Sequence, residues 1–267
     1  MFLAIDIGNT NITFGLFVVK NGETVLGPKK VWRMPTLKGQ TSGEYAAALM
    51  DMFSHSGFDA KSVKSVGIAS VVPSLNSVFK DLAKNYFRKK AFFVNHINNG
   101  GLKFAANSNP KETGADRIAD AVAAYSLFGG GTVIIDFGTA TTFDCVDLKG
   151  RYIGGAIAPG PAISAQSLNL NTAQLPHIEM KKTRRAIGKT TVECMQSGLF
   201  FGYIGLIKEL IARIKKEMKV NRIIATGGLA SLMTGEIKEI ERVCPDLTLE
   251  GIRIIFERQK IRVKIGE

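Results

Sequence analysis

Cysteine is scarce in this sequence. The 267 residues include three cysteines, Cys145, Cys194 and Cys244, and no two of them form a C-x-x-C pair. An odd number of cysteines at such wide spacing indicates neither a disulfide framework nor a zinc site. We therefore expect a cytoplasmic protein, because free thiols are stable in that reducing compartment.

Long apolar runs are also missing. The N-terminal stretch MFLAI is apolar, but Asp6 interrupts it, and no basic leader precedes it. No segment reaches the roughly 18 apolar residues that a membrane-spanning helix needs. The 8 prolines and 28 glycines do not amount to a low-complexity bias. The sequence predicts a soluble globular protein with no membrane partner, built as one large domain or two modest ones.

Acidic residues are outnumbered by basic ones. The 35 Lys and Arg residues against 23 Asp and Glu give a net charge of +12. This balance suits an acidic ligand such as a nucleotide, although solvated helix faces such as that of residues 208–219 account for part of it. We expect no nucleic-acid partner, because no dense basic and aromatic patch and no known binding module is present.

One short phrase occurs twice. IDIGNT at residues 5–10 and IDFGTA at residues 135–140 each place an Asp between two apolar residues, followed by Gly and a small polar residue. The flanking patterns predict a strand, a turn and a second strand over residues 2–19 and again over 132–147. Helix and strand patterns follow each copy, including helices at 115–128 and about 191–216. The sequence therefore predicts a duplicated α/β architecture.

A loop rich in Asn and Gly, residues 95–113, separates the two halves. We predict an N-terminal lobe at residues 1–112 and a C-terminal lobe at 113–267. Two similar α/β lobes that face each other leave a cleft, and such clefts are where ligands bind. We therefore expect the ligand site in a central cleft between the lobes.

The repeated turns suit a magnesium–polyphosphate complex. Gly8 and Gly138 let the backbone approach a ligand closely, and the N–H and hydroxyl groups of the turns can hold an anion. Asp6, at the end of its strand, can hold a hydrated cation. An ordinary hairpin turn explains one copy equally well. Two copies, one at the start of each half, favour a triphosphate that is held from both sides.

The sequence lacks two other nucleotide-binding motifs. GKT at 188–190 lacks the first P-loop glycine because Thr183 occupies its position, and no G-x-G-x-x-G occurs.

DIGNT, DFGTATT and TGGLA (residues 226–230) together resemble the phosphate-1, phosphate-2 and adenosine motifs of the acetate kinase, sugar kinase, Hsp70 and actin superfamily. GADR at 114–117, with ASVVPSL at 69–75, GGAIAPG at 154–160 and PDLTLEGIRIIFER at 245–258, narrows the resemblance to type III pantothenate kinases. The resemblance implies duplicated ribonuclease H-like, actin-like ATPase lobes. It also implies that ATP phosphorylates the primary hydroxyl of pantothenate to give 4'-phosphopantothenate, the first step of coenzyme A biosynthesis.

The resemblance further implies roles for individual residues. ATP would be bound by Asp6, Ile7, Gly8, Asn9, Thr10, Asn11, Ile12, Thr13 and Thr139. Pantothenate would be bound by Gly114, Ala115, Asp116, Arg117 and Thr191. Mg²⁺ would accompany ATP, and Asp136 would hold a monovalent cation, K⁺ or NH₄⁺. The family works as a homodimer, so the helices after Thr191 are expected to pair subunits.

Asp116 is the candidate catalytic residue. An attacking alcohol must lose its proton, and a carboxylate within hydrogen-bond reach can accept it. Arg117 and the start of helix 115–128 favour an anion nearby, either a substrate carboxylate or the moving phosphoryl group. A helix N-cap or first-turn acid is the structural alternative for Asp116. Asp120, one turn later, is read either as a supporting group or as a solvated acid.

One position departs from the family pattern. The family often has an aromatic residue, commonly Tyr, where this chain has Asn107, and Phe104 is a substitute if the loop carries an insertion.

Two alternative functions stay open: another small-molecule kinase or phosphatase of the superfamily, and a non-catalytic nucleotide-binding accessory factor. GADR argues against the first alternative. The presence of Asp6, Asp116 and Asp136 argues against the second.

Overall fold

The computed structural model describes residues 1–20, 23–106 and 108–265, so Asn107 lies outside the described residues. The strands are β1 (Phe2–Ile7), β2 (Asn11–Phe17), β3 (Val19–Lys20), β4 (Glu23–Thr24), β5 (Lys30–Pro35), β6 (Ser65–Ser70), β7 (Ala91–Phe93), β8 (Lys103–Phe104), β9 (Thr132–Phe137), β10 (Ala140–Val146), β11 (Arg151–Pro159), β12 (Arg222–Thr226) and β13 (Arg242–Val243). The α-helices are α1 (Ser42–His55), α2 (Asn76–Tyr86), α3 (Ala115–Phe128), α4 (Pro161–Leu170), α5 (Thr191–Glu217), α6 (Ala230–Thr234) and α7 (Leu247–Ile265).

The chain forms two compact units. The first unit holds residues 1–104, 109–126 and those from 246 onward, and the second holds 105–108 and 127–245. This division differs from the predicted boundary between residues 112 and 113. The physical reason is that α7 packs against β1 and β6 of the first sheet, so the C-terminal end of the chain returns to the N-terminal unit.

The sheet of the first unit has the order β5-β2-β1-β6-β7. β1 is antiparallel to β2 and parallel to β6, and β6 is parallel to β7. Every residue of β1 is buried except Asp6, which is half-buried near the strand end. A strand buried on both faces reads as a continuous apolar run, which explains the sequence FLAI that precedes this acid.

The sheet of the second unit repeats this arrangement. Its strands β13, β12, β9, β10 and β11 lie in that order. β9 is antiparallel to β10 and parallel to β12, and β12 is parallel to β13. Along β9 the one residue that is not buried is Asp136, at the same position as Asp6 in β1. The predicted duplicated α/β fold class is therefore confirmed.

Helix α5 forms much of the core of the second unit. Thr190 caps its N-terminus, accepting a hydrogen bond from the Glu193 N–H at 3.2 Å, as a Thr N-cap commonly does. Its buried side chains include Phe200, Ile204 and Ile207, which pack with β9 residues. The predicted helix over about 191–216 is confirmed. None of the described helices is both long and apolar enough to cross a membrane.

Candidate active site

The first hairpin turn, between β1 and β2, presents polar groups outward. Ile7 pairs with Ile12, and residues 8–11 form the turn between them. The Gly8 N–H donates to the Asn11 carbonyl at 3.0 Å, and the side chains at positions 9–11 are exposed. A Cβ on Gly8 would lie 3.0 Å from that same carbonyl oxygen, so glycine keeps the turn tight. Asp6 sits one pair earlier, opposite the half-buried Thr13.

Thr36 fastens this first turn to the rest of its sheet. It lies just after β5, and its hydroxyl donates to the Gly8 carbonyl at 2.7 Å. Its backbone N–H donates to the Thr10 carbonyl at 2.9 Å. Thr36 therefore fixes the turn from the side. Sequence reasoning missed it because a single Thr after a short strand carries no distinctive signal.

The second hairpin turn, between β9 and β10, is one residue shorter. Phe137 pairs with Thr141, which leaves residues 138–140 in the turn. The Gly138 N–H donates to the Ala140 carbonyl at 3.1 Å, and Thr139 is exposed. The Thr139 carbonyl accepts from the Gly160 N–H at 3.1 Å. Asp136 lies opposite Thr142, as Asp6 lies opposite Thr13.

Tyr203 of α5 anchors the second turn. Its hydroxyl hydrogen-bonds to the Thr141 hydroxyl and reaches the Pro159 carbonyl at 3.3 Å. Burial raises the pKa of Tyr203, and the negative charge of Asp136 raises it further. Tyr203 therefore stays neutral and lies within electrostatic reach of Asp136. Its position inside a long apolar helix gave no sequence signal.

The TGGLA segment lies directly against Asp136. Thr226 is the residue of β12 that pairs with Asp136. Gly227 follows with φ +89°, and a Cβ there would stand 2.4 Å from the Asp136 Oδ1. A Cβ on Gly228 would meet nothing within 4 Å. Gly227 thus makes room for the carboxylate, and Gly228 leaves an open backbone surface beside it.

GADR lies at the start of α3 in the first unit. The Ile118 N–H donates to the Gly114 carbonyl at 3.0 Å, which opens the helix at Gly114 and places Asp116 in its first turn. The Asp116 Oδ1 accepts from the Arg117 N–H at 2.7 Å. Burial raises the pKa of the Asp116 carboxyl, against the lowering effect of Arg117. Asp116 is therefore not the N-cap, and its raised pKa makes it a better proton acceptor than an ordinary Asp.

GADR and the first hairpin meet at one edge of the first sheet. The Val71 N–H donates to the Ile7 carbonyl at 3.0 Å, so the residue after β6 touches the end of β1. A Cβ on Gly114 would lie 3.4 Å from the Val71 Cγ1 and 2.4 Å from the Asp116 Oδ1. Asp116 is therefore linked to the end of β1 by way of Gly114 and Val71. The carboxyl ends of parallel strands are the usual ligand-binding edge of such sheets.

Asp120 is not a solvated acid. It is 1% exposed, and its Oδ1 accepts from the Thr248 hydroxyl of α7 at 2.8 Å. One residue earlier, the Ala119 carbonyl oxygen would lie 2.0 Å from a Cβ on Gly251. The burial excludes the solvated alternative for Asp120, and the supporting role stays a prediction. Helix α7 packs on α3 through Thr248 and Gly251, close to the turn that carries Asp116.

Thr191 stands apart from the second hairpin. It is exposed and is the first residue of α5. Tyr203, which touches that hairpin, lies 12 positions later, or about 18 Å along the helix axis at 1.5 Å per residue. Within its own unit the structure therefore does not bring Thr191 to the other predicted residues.

The described residues contain no cluster of three or more His, Cys, Asp or Glu side chains that would hold a metal ion. Asp6 and Asp136 each lie half-buried beside a glycine turn. One carboxylate next to a tight glycine turn fits Mg²⁺, because this ion is usually held by one or two carboxylates together with substrate phosphates. The residues present thus fit a metal that arrives with the nucleotide.

Comparison with known proteins agrees with these features. Residues 2–213 match a family model described as type III pantothenate kinase. A protein of Endomicrobium trichonymphae named type III pantothenate kinase is 63% identical over 258 residues, covering 97% of this chain and 99% of that protein. The matched length covers residues of both units.

Solved structures resemble the whole fold. A structure from Campylobacter jejuni, named as a conserved putative Baf family transcriptional activator, has a TM-score of 0.60 at 20% identity and covers 97% of this chain and 99% of that one. A putative 2-dehydro-3-deoxygalactonokinase from Sinorhizobium meliloti has a TM-score of 0.60 at 11% identity and covers 98% and 96%. At these identities the likeness shows the fold alone, which is the predicted fold of actin-like ATPases and sugar kinases.

Proposed function

The chain belongs to the type III pantothenate kinase family, and we propose that it carries out the family reaction with the residues assembled above. That reaction is the ATP-dependent phosphorylation of pantothenate to 4'-phosphopantothenate in coenzyme A biosynthesis. The observation that carries the residue assignment is the position of Asp116. It combines a raised pKa with a link, through Gly114 and Val71, to the end of β1, where the first proposed phosphate-binding turn begins.

ATP is bound by the two hairpin turns in this proposal. Residues 6–13 and Thr139 present backbone N–H groups and hydroxyls to the phosphates. The support is the equal placement of Asp6 and Asp136 at the ends of equivalent strands, each followed by a tight glycine turn. The open backbone at Gly228 suits the flat face of the adenine base.

Asp116 acts as the general base. The primary hydroxyl oxygen of pantothenate attacks the γ-phosphorus of ATP, its proton passes to the Asp116 carboxylate, and the bond from the γ-phosphorus to the β–γ bridging oxygen breaks to release ADP. In the proposed complex, Gly114, Ala115 and Arg117 contact the pantothenate molecule next to Asp116. The raised pKa of Asp116 supports this role because it brings the carboxyl closer to the working pH.

Two cations complete the proposed site. Mg²⁺ neutralises charge on the phosphates when it is bound, and Asp6 is the residue that would hold it. Asp136 would hold K⁺ or NH₄⁺, since Gly227 places only backbone, and no side chain, against its carboxylate. We further propose that the protein acts as a cytoplasmic homodimer in which the helices after Thr191 pair the subunits.

A coupled assay of ADP release tests the function. With ATP, Mg²⁺ and K⁺ present, pantothenate should be phosphorylated, and replacing pantothenate by a hexose should give only background. Phosphorylation of the hexose instead would identify a different kinase of the superfamily. ATP binding without turnover of any acceptor would favour the accessory-factor alternative.

A further inference from the structure

A row of three side chains crosses the first sheet at the level of Asp6. Asp6 of β1 pairs with Thr13 of β2, and Thr13 pairs in turn with Arg33 of β5. Residues directly opposite each other on antiparallel strands share one face of the sheet. Arg33 therefore stands on the same face as Asp6, two strands and about 10 Å of backbone away. We call these three residues the Asp6 row.

Helix α7 packs on this face with its N-terminal end toward the Asp6 row. A Cβ on Gly15, one level farther along β2, would lie 2.8 Å from a methyl carbon of Leu249. Later in the helix, Phe256 stacks on Phe2 at the start of β1, with ring centroids 4.9 Å apart. The helix therefore runs away from the first turn, and its N-terminal end favours an anion at the Asp6 row. Within the row the two inner side chains are half-buried and Arg33 is exposed.

Asp246, the residue before α7, indicates the direction of the Arg33 side chain. The Glu250 N–H donates to the Asp246 carbonyl at 3.0 Å, which makes Asp246 the N-cap residue of the helix. Burial raises the pKa of the Asp246 carboxyl, and the positive charge of Arg33 partly offsets this rise. The Arg33 guanidinium is therefore within electrostatic reach of the start of α7, on the face of the sheet that carries the Asp6 row.

The second unit repeats the row without the cation. Asp136 pairs with Thr142, and Thr142 pairs with Ile157 of β11, which is 65% exposed. The Thr142 hydroxyl donates to the Asp144 Oδ2 at 3.0 Å, whereas the corresponding residue of β2 is Gly15, which has no side chain to accept such a bond. The repeated framework therefore does not by itself require a cation at this place. The charge of Arg33 belongs to the chemistry of the first turn.

The position of Arg33 fits the part of ATP that leaves as ADP. An arginine presents a planar pair of N–H groups that can bind two phosphate oxygens at once. β5 lies on one side of the β1–β2 hairpin and β6 on the other, and Asp116 is linked to β1 from the β6 side. Because the attacking and leaving oxygens of a phosphoryl transfer stand roughly in line, the leaving phosphate lies away from the base. Arg33 approaches the turn from that opposite side.

We propose that Arg33 binds the β-phosphate of ATP and stabilises the negative charge that develops there as ADP leaves. The inference rests on the proposed function, since it takes the first turn as the place of the triphosphate and Asp116 as the base. Loss of the guanidinium then weakens every nucleotide that has a β-phosphate and spares one that ends at the α-phosphate. A surface charge that serves only Asp246 predicts no such division between nucleotides.

Titration calorimetry with Mg²⁺ and without acceptor separates these two cases. The probes are ADP and AMP, and the variants are R33A, R33Q and R33K. We expect R33A and R33Q to weaken ADP binding about tenfold, since each removes a charged hydrogen-bonding partner, and to leave AMP binding unchanged. R33K should fall between them and the wild type, because lysine keeps the charge but lacks the planar fork. In the coupled assay R33A should also lower kcat and leave the KM for pantothenate unchanged.

Lys30 supplies the matched control. It is an exposed lysine of the same strand, and its partner Leu16 belongs to the core on the opposite face of the sheet. K30A should bind ADP and AMP as the wild type does. Equal ADP affinity in R33A and the wild type would overturn the inference, and so would equal losses for ADP and AMP. Wild-type protein that binds ADP but phosphorylates no pantothenate would contradict the proposed function, which is a distinct result.

Discussion

The two sheets of this protein share one arrangement and differ in what lies at their ends. In each, the central strand pairs with an antiparallel hairpin partner on one side and a parallel strand on the other. The central strands β1 and β9 even have the same burial pattern, with an Asp as the one residue that is not buried. The scaffold therefore fixes where the two carboxylates stand.

The difference lies in the segment that follows the parallel strand. After β6, Val71 lies beside Gly114, and both line a cavity next to the GADR segment. After β12, Gly227 packs directly on the Asp136 carboxylate. The same scaffold thus carries Gly114 and Asp116 in the first unit and a glycine packed against a carboxylate in the second. Loops on a repeated framework, and not the framework itself, separate the two roles.

The largest expected effect comes from removing the Asp116 carboxylate of the first unit. D116N should lower kcat by about 10²- to 10⁴-fold, because a positioned general base contributes about that much. The affinity for ATP should change little. A D116N protein with wild-type kcat in the coupled assay would remove Asp116 from the mechanism.

The pH dependence of the same residue sharpens this test. Burial holds the pKa of Asp116 above its ordinary value of 3.8 in the folded state, so the base is lost as pH falls through that raised pKa. The acid limb of the kcat profile should lie above 3.8 and should vanish in D116N. Since ionisation of the buried group costs stability as pH rises, D116N should also have a higher Tm than the wild type at neutral pH. Calorimetry at neutral pH checks the second point.

The second-largest expected effect distinguishes the roles of Asp6 and Asp136. D6A and D136A should each reduce kcat/KM for ATP by at least about tenfold, as expected when a charged contact to a bound cation or phosphate is lost. We expect only D136A to abolish the difference between K⁺ and Na⁺ buffers. Equal K⁺ and Na⁺ rates in the wild-type protein would contradict the assignment of Asp136. A matching loss of K⁺ dependence in D6A would show that the two acids are not specialised.

A smaller effect should distinguish the two glycine contacts. G227A places a Cβ 2.4 Å from Asp136 at a positive φ of +89°, whereas G8A places one 3.0 Å from the Asn11 carbonyl at an ordinary φ. G227A should therefore raise the KM for ATP more than G8A, and it should cost at least about 1 kcal/mol of stability. Steady-state kinetics and denaturant unfolding of both variants measure this. Equal losses of ATP affinity and stability in the two variants would mean that the close packing of Gly227 against Asp136 is not maintained.

The smallest effect concerns the side chains that hold the turns. Y203F removes the hydrogen bonds to Thr141 and Pro159, and T36V removes the bond to the Gly8 carbonyl. Each loss should cost about 1 kcal/mol of unfolding free energy and raise the KM for ATP by a few fold. The unfolding measurement serves as the control for the kinetic one. A stability loss with unchanged KM would make either residue purely structural.

Much of the site was predictable from the sequence because its signals are local. A buried strand that ends in Asp-x-Gly predicts a hairpin from apolar continuity and turn chemistry alone, and both hairpins form as predicted. The helix that carries Asp116 was predicted over the same residues that form α3. Tyr203, Thr36 and Thr248 were not predicted. Their roles depend on partners 26 or more positions away, in other elements.

By itself the sequence determined the elements, their duplication and the placement of Asp6, Asp116 and Asp136 at the ends of strands or the start of a helix. These follow from periodicity and turn residues, which act over a few positions of the chain. Only the tertiary structure decided that α7 returns to the first unit, that Asp120 is buried against Thr248 and that Arg33 stands in one row with Thr13 and Asp6. The physical reason is that burial and charge proximity are set by packing between distant segments, and no local pattern encodes which segments will meet.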